Sequence, residues 1–226
     1  MPTRKDATPT PSDASSDPST AETVFHGIVN GLETGQFVPG QRLVETDLAA
    51  QFGVGRNSVR EALQHLAADG VIDTVRHKGA VVRSLSLQET LDVLDVAERM
   101  TGLLARNAAR AVKNGNPAKA LSQALERLAA AASSSSEGFA QARRHFYRVL
   151  LDLGGSKELR RLLRVIHMPI VHAQYRLGSL REMRLRDYDT IGRAVLRGNE
   201  AKADEAGAAH VRHVRTEILK KVGEEG

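Results

Sequence analysis

Apolar positions recur with a spacing of three to four residues along most of the chain and alternate in only one short stretch, a pattern that predicts a mainly α protein with a small β element. Residues 1–19 carry Pro, Ser, Thr and Asp without an apolar stripe, which predicts a disordered tail. Over residues 21–32, Val24, Ile28, Val29 and Leu32 share one helix face, and Gly35 and Pro39-Gly40 then interrupt the chain. A second helix is predicted over Glu45–Phe52, with Leu48, Ala49 and Phe52 inward, followed by the turn Gly53-Val54-Gly55. A third covers residues 56–69, with Val59, Ala62, Leu63 and Leu66 as its buried stripe and Gly70 as its stop. Residues 71–75 and 80–83 alternate as strands around His77-Lys78-Gly79. Residues 39–82 thus read as a winged helix-turn-helix, a module that sets one helix in the DNA major groove.

Helical spacing dominates from Ser86 onward. Helices are predicted near 87–113, 118–132, 137–153, 156–180, 182–197 and 200–221, separated by Asn114-Gly115-Asn116-Pro117, the serines at 133–136, Gly154-Gly155 and Gly198-Asn199. Pro169 falls inside the fourth and should kink or split it. The expected architecture is a tail (1–19), a winged helix-turn-helix domain (20–84) and an all-α antiparallel helical bundle (85–226).

Composition narrows the class. Cysteine is absent, which excludes disulfides and thiolate metal sites, and no apolar run is long enough to span a bilayer. With no apolar signal core at the N-terminus, a cytoplasmic protein without membrane contact is expected. The net charge of +5 is unevenly spread. Residues 20–83 hold six Arg/Lys against seven Asp/Glu, whereas residues 84–226 hold 24 against 17. Positive charge in the first domain must therefore act by position, and the basic second domain suits either a solvated surface or an anionic ligand.

Helix-turn-helix chemistry rests on the opening residues of the second helix. Here these are Arg56, Asn57 and Ser58, with Arg60 one turn on, while Val59, Ala62 and Leu63 anchor the helix from behind. Arg can take two guanine acceptors and Asn can pair with adenine, while Ser58 and the helix N-terminus suit a phosphate. Arg76, His77, Lys78 and Gly79 at the wing tip would reach the backbone or minor groove. Residues 28–82 resemble the GntR family of bacterial transcription regulators. The resemblance is carried by Gly35, Pro39-Gly40, Leu43, Glu45, Leu48-Ala49, Val54-Gly55-Arg56, Val59-Arg60-Glu61-Ala62-Leu63, Leu66, Asp69-Gly70 and Gly79-Ala80. It implies DNA contacts from the recognition helix and from the wing. Thr46 stands where some relatives carry a basic contact, and Gly55 where Ser or Thr is more usual.

Residues 86–222 are similar to the FCD effector domain of the FadR-like branch of that family. The matching features run from Phe146-Tyr147-Arg148 through Gly155 and Leu159, and from Asp187-Tyr188 through Ile191, Gly198-Asn199 and His210. That domain usually binds a divalent metal through an Asp and three His, whose positions fall here on Arg143, Tyr147, Tyr188 and His210. A guanidinium cannot ligate a cation and Tyr is a rare ligand, so no metal cofactor is expected. His167 with His172, or His210 with His213, could rebuild a site, although core or surface histidines compete as a reading. Arg143 could instead hold a ligand carboxylate directly, with Tyr147, Tyr188 and His210 adding polar contacts. Alternatively it points outward and the bundle is plugged.

The expected function is a homodimeric, sequence-specific transcription regulator, a repressor on an inverted-repeat double-stranded operator. A small anionic effector in the bundle, an organic acid or a larger acyl-thioester, would control it. A ligand-independent DNA binder is the alternative. An enzyme is disfavoured, since no nucleophile motif, phosphate loop or carboxylate–histidine cluster is evident.

Overall fold

In a computed structural model the described residues are 19–77, 79–166, 168–175 and 180–225. The expected tail lies outside them except for Ser19. That residue caps helix α1 (Thr20–Thr34): its hydroxyl accepts from the Glu22 N–H while the Glu22 carboxylate accepts from the Ser19 N–H, at 3.1 and 2.9 Å. The chain then runs through β1 (Arg42–Leu43), α2 (Glu45–Phe52), α3 (Arg56–Ala68), β2 (Ile72–Val75) and β3 (Gly79–Val82). Gly53, at φ 64°, ends α2 in the left-handed region that the tight helix-turn-helix corner needs and that a Cβ would disfavour. Val24, Ile28 and Leu32 of α1 pack with Val59, Ala62, Leu63 and Leu66 of α3 in the first core.

The wing pairs as predicted, with Ile72 opposite Val82 and Val75 opposite Gly79. A third strand was not expected: β1 pairs antiparallel with β3, Arg42 opposite Val81 and Leu43 opposite Ala80. Two residues carry no readable alternation, so β1 is a strand only because β3 presents it with a ladder.

The second region comprises α4 (Leu87–Lys113), α5 (Lys119–Ala130), a 3₁₀ turn (Ala131–Ser133), α6 (Ser136–Gly154), α7 (Lys157–Val165), α8 (Met168–Gln174), α9 (Leu180–Leu196) and α10 (Glu200–Glu225). The single helix expected over 156–180 is therefore two. Ile166 leaves the helix with an extended ψ of 132°, and Pro169 sits in the first turn of α8, where its missing N–H has no helical acceptor to lose. Residues 176–179 lie outside the described set.

Helices α4 and α10 pack along each other, and their ion pairs fix direction. Asp95 and Glu98 meet Arg215 and Arg212, while Arg106 and Arg110 meet Asp204 and Glu200. Numbers rise along one helix as they fall along the other, so the pair is antiparallel. Each end carries opposite charges, and the reverse orientation would set like charges together. Such partly exposed pairs add little stability, about 0–1 kcal/mol each, but they discriminate between orientations. Close contact depends on Gly207, where a Cβ would lie 2.6 Å from the Thr101 carbonyl oxygen.

The two regions meet along α1. Helix α8 packs on α1, and its Ala173 joins the core of the first region. Gln174 clamps the connecting segment: its side chain accepts from Leu85 N–H at 3.0 Å and donates to Leu85 C=O at 2.7 Å. Ser86 then caps α4 in a reciprocal capping box with Glu89, whose carboxyl is lowered to about 2 by hydrogen bonds from Ser86 and Arg83.

Candidate DNA-reading surface and basic cavity

Arg56 and Asn57 open α3 and are exposed, because the apolar stripe at Val59, Ala62, Leu63 and Leu66 commits the opposite face to the core. Arg60 is exposed but not free: its guanidinium donates to both oxygens of Glu45 at the start of α2, at 3.3 and 2.9 Å. That pair joins the two helices of the motif and aims the guanidinium. Ser58 is half-buried, and its hydroxyl lies 2.8 Å from that of Thr20 at the N-terminus of α1. Arg76, His77 and Gly79 are exposed at the wing tip, with His77 at φ 67° and Gly79 at φ 75°. Lys78 lies outside the described residues.

The four residues assigned to the effector site lie close together on α6, α9 and α10, with Arg143 on the lining of a basic cavity and the other three packed behind it. Arg143, on α6, is buried and faces inward. Its guanidinium donates to Glu33 of α1 at 3.0 Å and to Nδ1 of His172, on α8, at 2.8 Å. Arg144 donates to the same Glu33 oxygen at 2.7 Å. Burial works against the Arg143 charge, but Glu33 together with Tyr188 and Tyr147 outweighs it and raises the guanidinium above its ordinary value. His172 is held well below the usual imidazole range, first by burial and then by the Arg143 and Arg184 guanidiniums.

Tyr147, Tyr188 and His210 sit behind Arg143 as a ring cluster. The Tyr147 and Tyr188 centroids are 5.9 Å apart, and those of Tyr188 and His210 4.8 Å. Burial pushes both phenols up, so they remain neutral. His210 Nδ1–H donates to Asp187 at 3.0 Å, and His213 meets the same carboxylate at 3.0 Å. Burial alone would raise Asp187; the two imidazoles outweigh it and hold the carboxyl below its ordinary value. Burial lowers His210 despite that carboxylate. A donor-only guanidinium and two neutral phenols leave His210 Nε2 as a single imidazole donor, which alone does not hold a divalent cation. Among the described residues no three His, Asp or Glu side chains converge in metal-holding geometry.

A cavity of about 280 Å³ opens on the other side of Arg143, between α1, α6, α8 and α9. Arg143, Arg181 and Arg184 line it with His172 and a single carboxylate, Glu33. Arg181 is satisfied by the carbonyls of Ser134 and Ala132, at 2.7 and 3.3 Å, and lies over the Phe139 ring. Arg184 differs: its buried Nε has no hydrogen-bond partner, and burial, reinforced by Arg143, lowers its pKa. Glu33, His172 and Arg184 carry no sequence signal as a set, because they lie on three different helices and Glu33 is far from the other two in the chain. Asp187 sits inside a recognisable motif but gains meaning only through its two histidine partners.

A winged helix-turn-helix with an outward reading helix, joined to a helical bundle, defines a DNA-binding transcription regulator rather than an enzyme. The chain belongs to the gntR family of bacterial regulatory proteins: that family's model matches residues 20–82, and the FCD domain model matches residues 92–213. It is 27% identical over 201 residues to the uncharacterized HTH-type transcriptional regulator YdhC of Bacillus subtilis, covering 85% of this chain and 87% of that one. It is also 32% identical over 80 residues to the HTH-type transcriptional repressor GlaR of Escherichia coli, covering 35% and 36% of the two chains. The fold matches that of E. coli McbR/YncC with a TM-score of 0.76 at 20% identity, over 90% of this chain and 99% of that one. Among the described residues no helix is long and apolar enough to cross a membrane.

Proposed function

We propose that this regulator is a repressor that binds an inverted-repeat operator as a homodimer and is controlled by a small anionic metabolite, without a metal cofactor. The observation that carries the ligand reading is the pairing of Arg184 with Arg143 in the lining of one cavity of about 280 Å³, where the lining carboxylate Glu33 is already engaged by Arg143 and Arg144. The volume lies at the lower edge of small-molecule sites and favours an organic acid or phosphate over an acyl-thioester. Arg143 keeps its expected role and Arg184 joins it, while Tyr147, Tyr188 and His210 back Arg143 rather than touching ligand. Arg56 and Asn57 are the base-reading residues, and Ser58, Arg60 and the wing residues Arg76 to Gly79 position the backbone. The repressor sign is supported by the partial similarity to the HTH-type transcriptional repressor GlaR.

The test is a thermal-unfolding series on chelator-treated protein with organic acids, inorganic phosphate, and zinc, nickel or manganese salts. A ligand that binds only the folded state raises Tm by mass action. The expected result is a rise with an anion that Arg184→Gln abolishes. A rise with metals and none with anions refutes the reading.

A further inference from the structure

We infer that Glu33 is a built-in carboxylate occupying the anion position of this cavity, and that a small dianion works by displacing it from Arg143. This rests on the anion-binding reading above. It adds the residue through which occupancy reaches the DNA-reading domain.

Glu33 belongs to α1, in the region that carries the reading helix, yet its carboxylate is buried among residues of the bundle. One oxygen takes hydrogen bonds from Arg143 and Arg144 at 3.0 and 2.7 Å, and both its own side chain and that of Arg143 are at most 10% exposed. A metabolite carboxylate on Arg143 must contend with this one. The contest is unequal for a monoanion. Glu33 is tethered, so it acts at the high effective concentration of an intramolecular partner, and a single carboxylate would only replace like with like. A ligand with two negative groups gains what Glu33 cannot supply. One group replaces Glu33 on Arg143, and the second meets the Arg184 guanidinium, which lines the same cavity. Three guanidiniums against one carboxylate in the lining also oppose a cationic ligand. The ligand class is therefore a small dianion, either a dicarboxylate or a phosphate.

Release of Glu33 acts on α1 directly. That helix shares a core with α3 and touches it again through Thr20 and Ser58. The same cavity touches α8 through His172, and two residues on Gln174 holds the connecting segment at Leu85. Glu33 and α8 are thus two ties from one cavity to the reading head. A dianion that breaks the first favours a different seat for α1 by its differential affinity for the two arrangements.

The test is calorimetric titration of the full chain with succinate, inorganic phosphate and acetate at constant ionic strength, using wild type, Glu33→Gln and Arg184→Gln. The expected result is that Glu33→Gln binds succinate or phosphate at least tenfold more tightly than wild type, and that Arg184→Gln loses both. Which of the two gains assigns the dicarboxylate or phosphate source. If wild type binds a dianion and Arg184→Gln does not, but Glu33→Gln binds no more tightly, the displacement is wrong and the anion site stands. If neither wild type nor Glu33→Gln binds any probe, or Arg184→Gln binds as well as wild type, both readings fall. Should Glu33→Gln not fold, Glu33→Asp shortens the reach by one methylene and is expected to tighten dianion binding to a lesser degree; unchanged binding overturns the displacement. Amide exchange supplies a second readout: a saturating dianion should speed exchange in the last turn of α1 in wild type. Unchanged or slower exchange there also overturns it.

Discussion

Lowering the pH from 7.5 to 5.5 should destabilise this protein through His172, which is held unprotonated beside Arg143. Its pKa is depressed well below the ordinary value by burial and by the Arg143 and Arg184 guanidiniums, with His210 adding a smaller push in the same direction. The unfolded chain, by contrast, takes up a proton near pH 6.5. Below that pH the unfolded state binds a proton that the folded state refuses, so stability falls as pH falls through this window and is unaffected above it. For a site that stays neutral in the fold, linkage at pH 5.5 costs about 1.4 kcal/mol relative to pH 7.5. At about 2–4 °C per kcal/mol for a chain of this size, that is about 3–6 °C in Tm. His210, also lowered by burial, adds to the same slope. The diagnostic is the difference between proteins. His172→Gln keeps an acceptor for Arg143 but removes the titration, so its Tm difference between the two pH values should be smaller than that of wild type by about 3–6 °C. Parallel curves would mean that His172 is protonated in the folded protein, and the electrostatic account of the cavity would be wrong.

Gly207→Ala should destabilise by about 1–3 kcal/mol in urea unfolding with helix content retained, because the new methyl meets the Thr101 carbonyl and must push α10 off α4. Ser86→Ala removes the hydroxyl that accepts from the Glu89 N–H at the start of α4 and should cost about 1 kcal/mol in the same assay. Asn57→Ala should weaken binding to an operator selected with wild-type protein by about 1–3 kcal/mol, read by fluorescence anisotropy, while affinity for random DNA stays unchanged. An equal loss on both DNAs would place Asn57 on the phosphate backbone instead.

Most of the fold was legible because most of it is local. The stripe at Val59, Ala62, Leu63 and Leu66 states where α3 begins and which face it buries, and that alone turns Arg56 and Asn57 outward. Gly53 and Gly35 mark helix ends by the backbone angles they permit. Pro169 announced a break, and its placement just inside α8 is what its fixed φ and missing N–H require. Strand β1 was not legible, since two residues have no period and Arg42-Leu43 becomes a strand only by pairing with Val81 and Ala80.

The cavity divides in the same way. An arginine where the related domains carry an acidic ligand was visible at Arg143. Its partner was not visible, because Glu33 lies on the first helix in a run with no special pattern, and the pair exists only where α1 docks on α6. Arg184 reads as one more charge on an amphipathic helix until the packing of α9 deprives its Nε of both water and an acceptor. Periodicity, caps and breakers act between residues a few positions apart, so the sequence alone determined the elements, their inner faces and the reading head. Ion pairing and desolvation depend on distance in space. Only the tertiary structure therefore decided which charges meet in the cavity, which one lacks a partner, and that the carboxylate already on Arg143 comes from the DNA-reading domain.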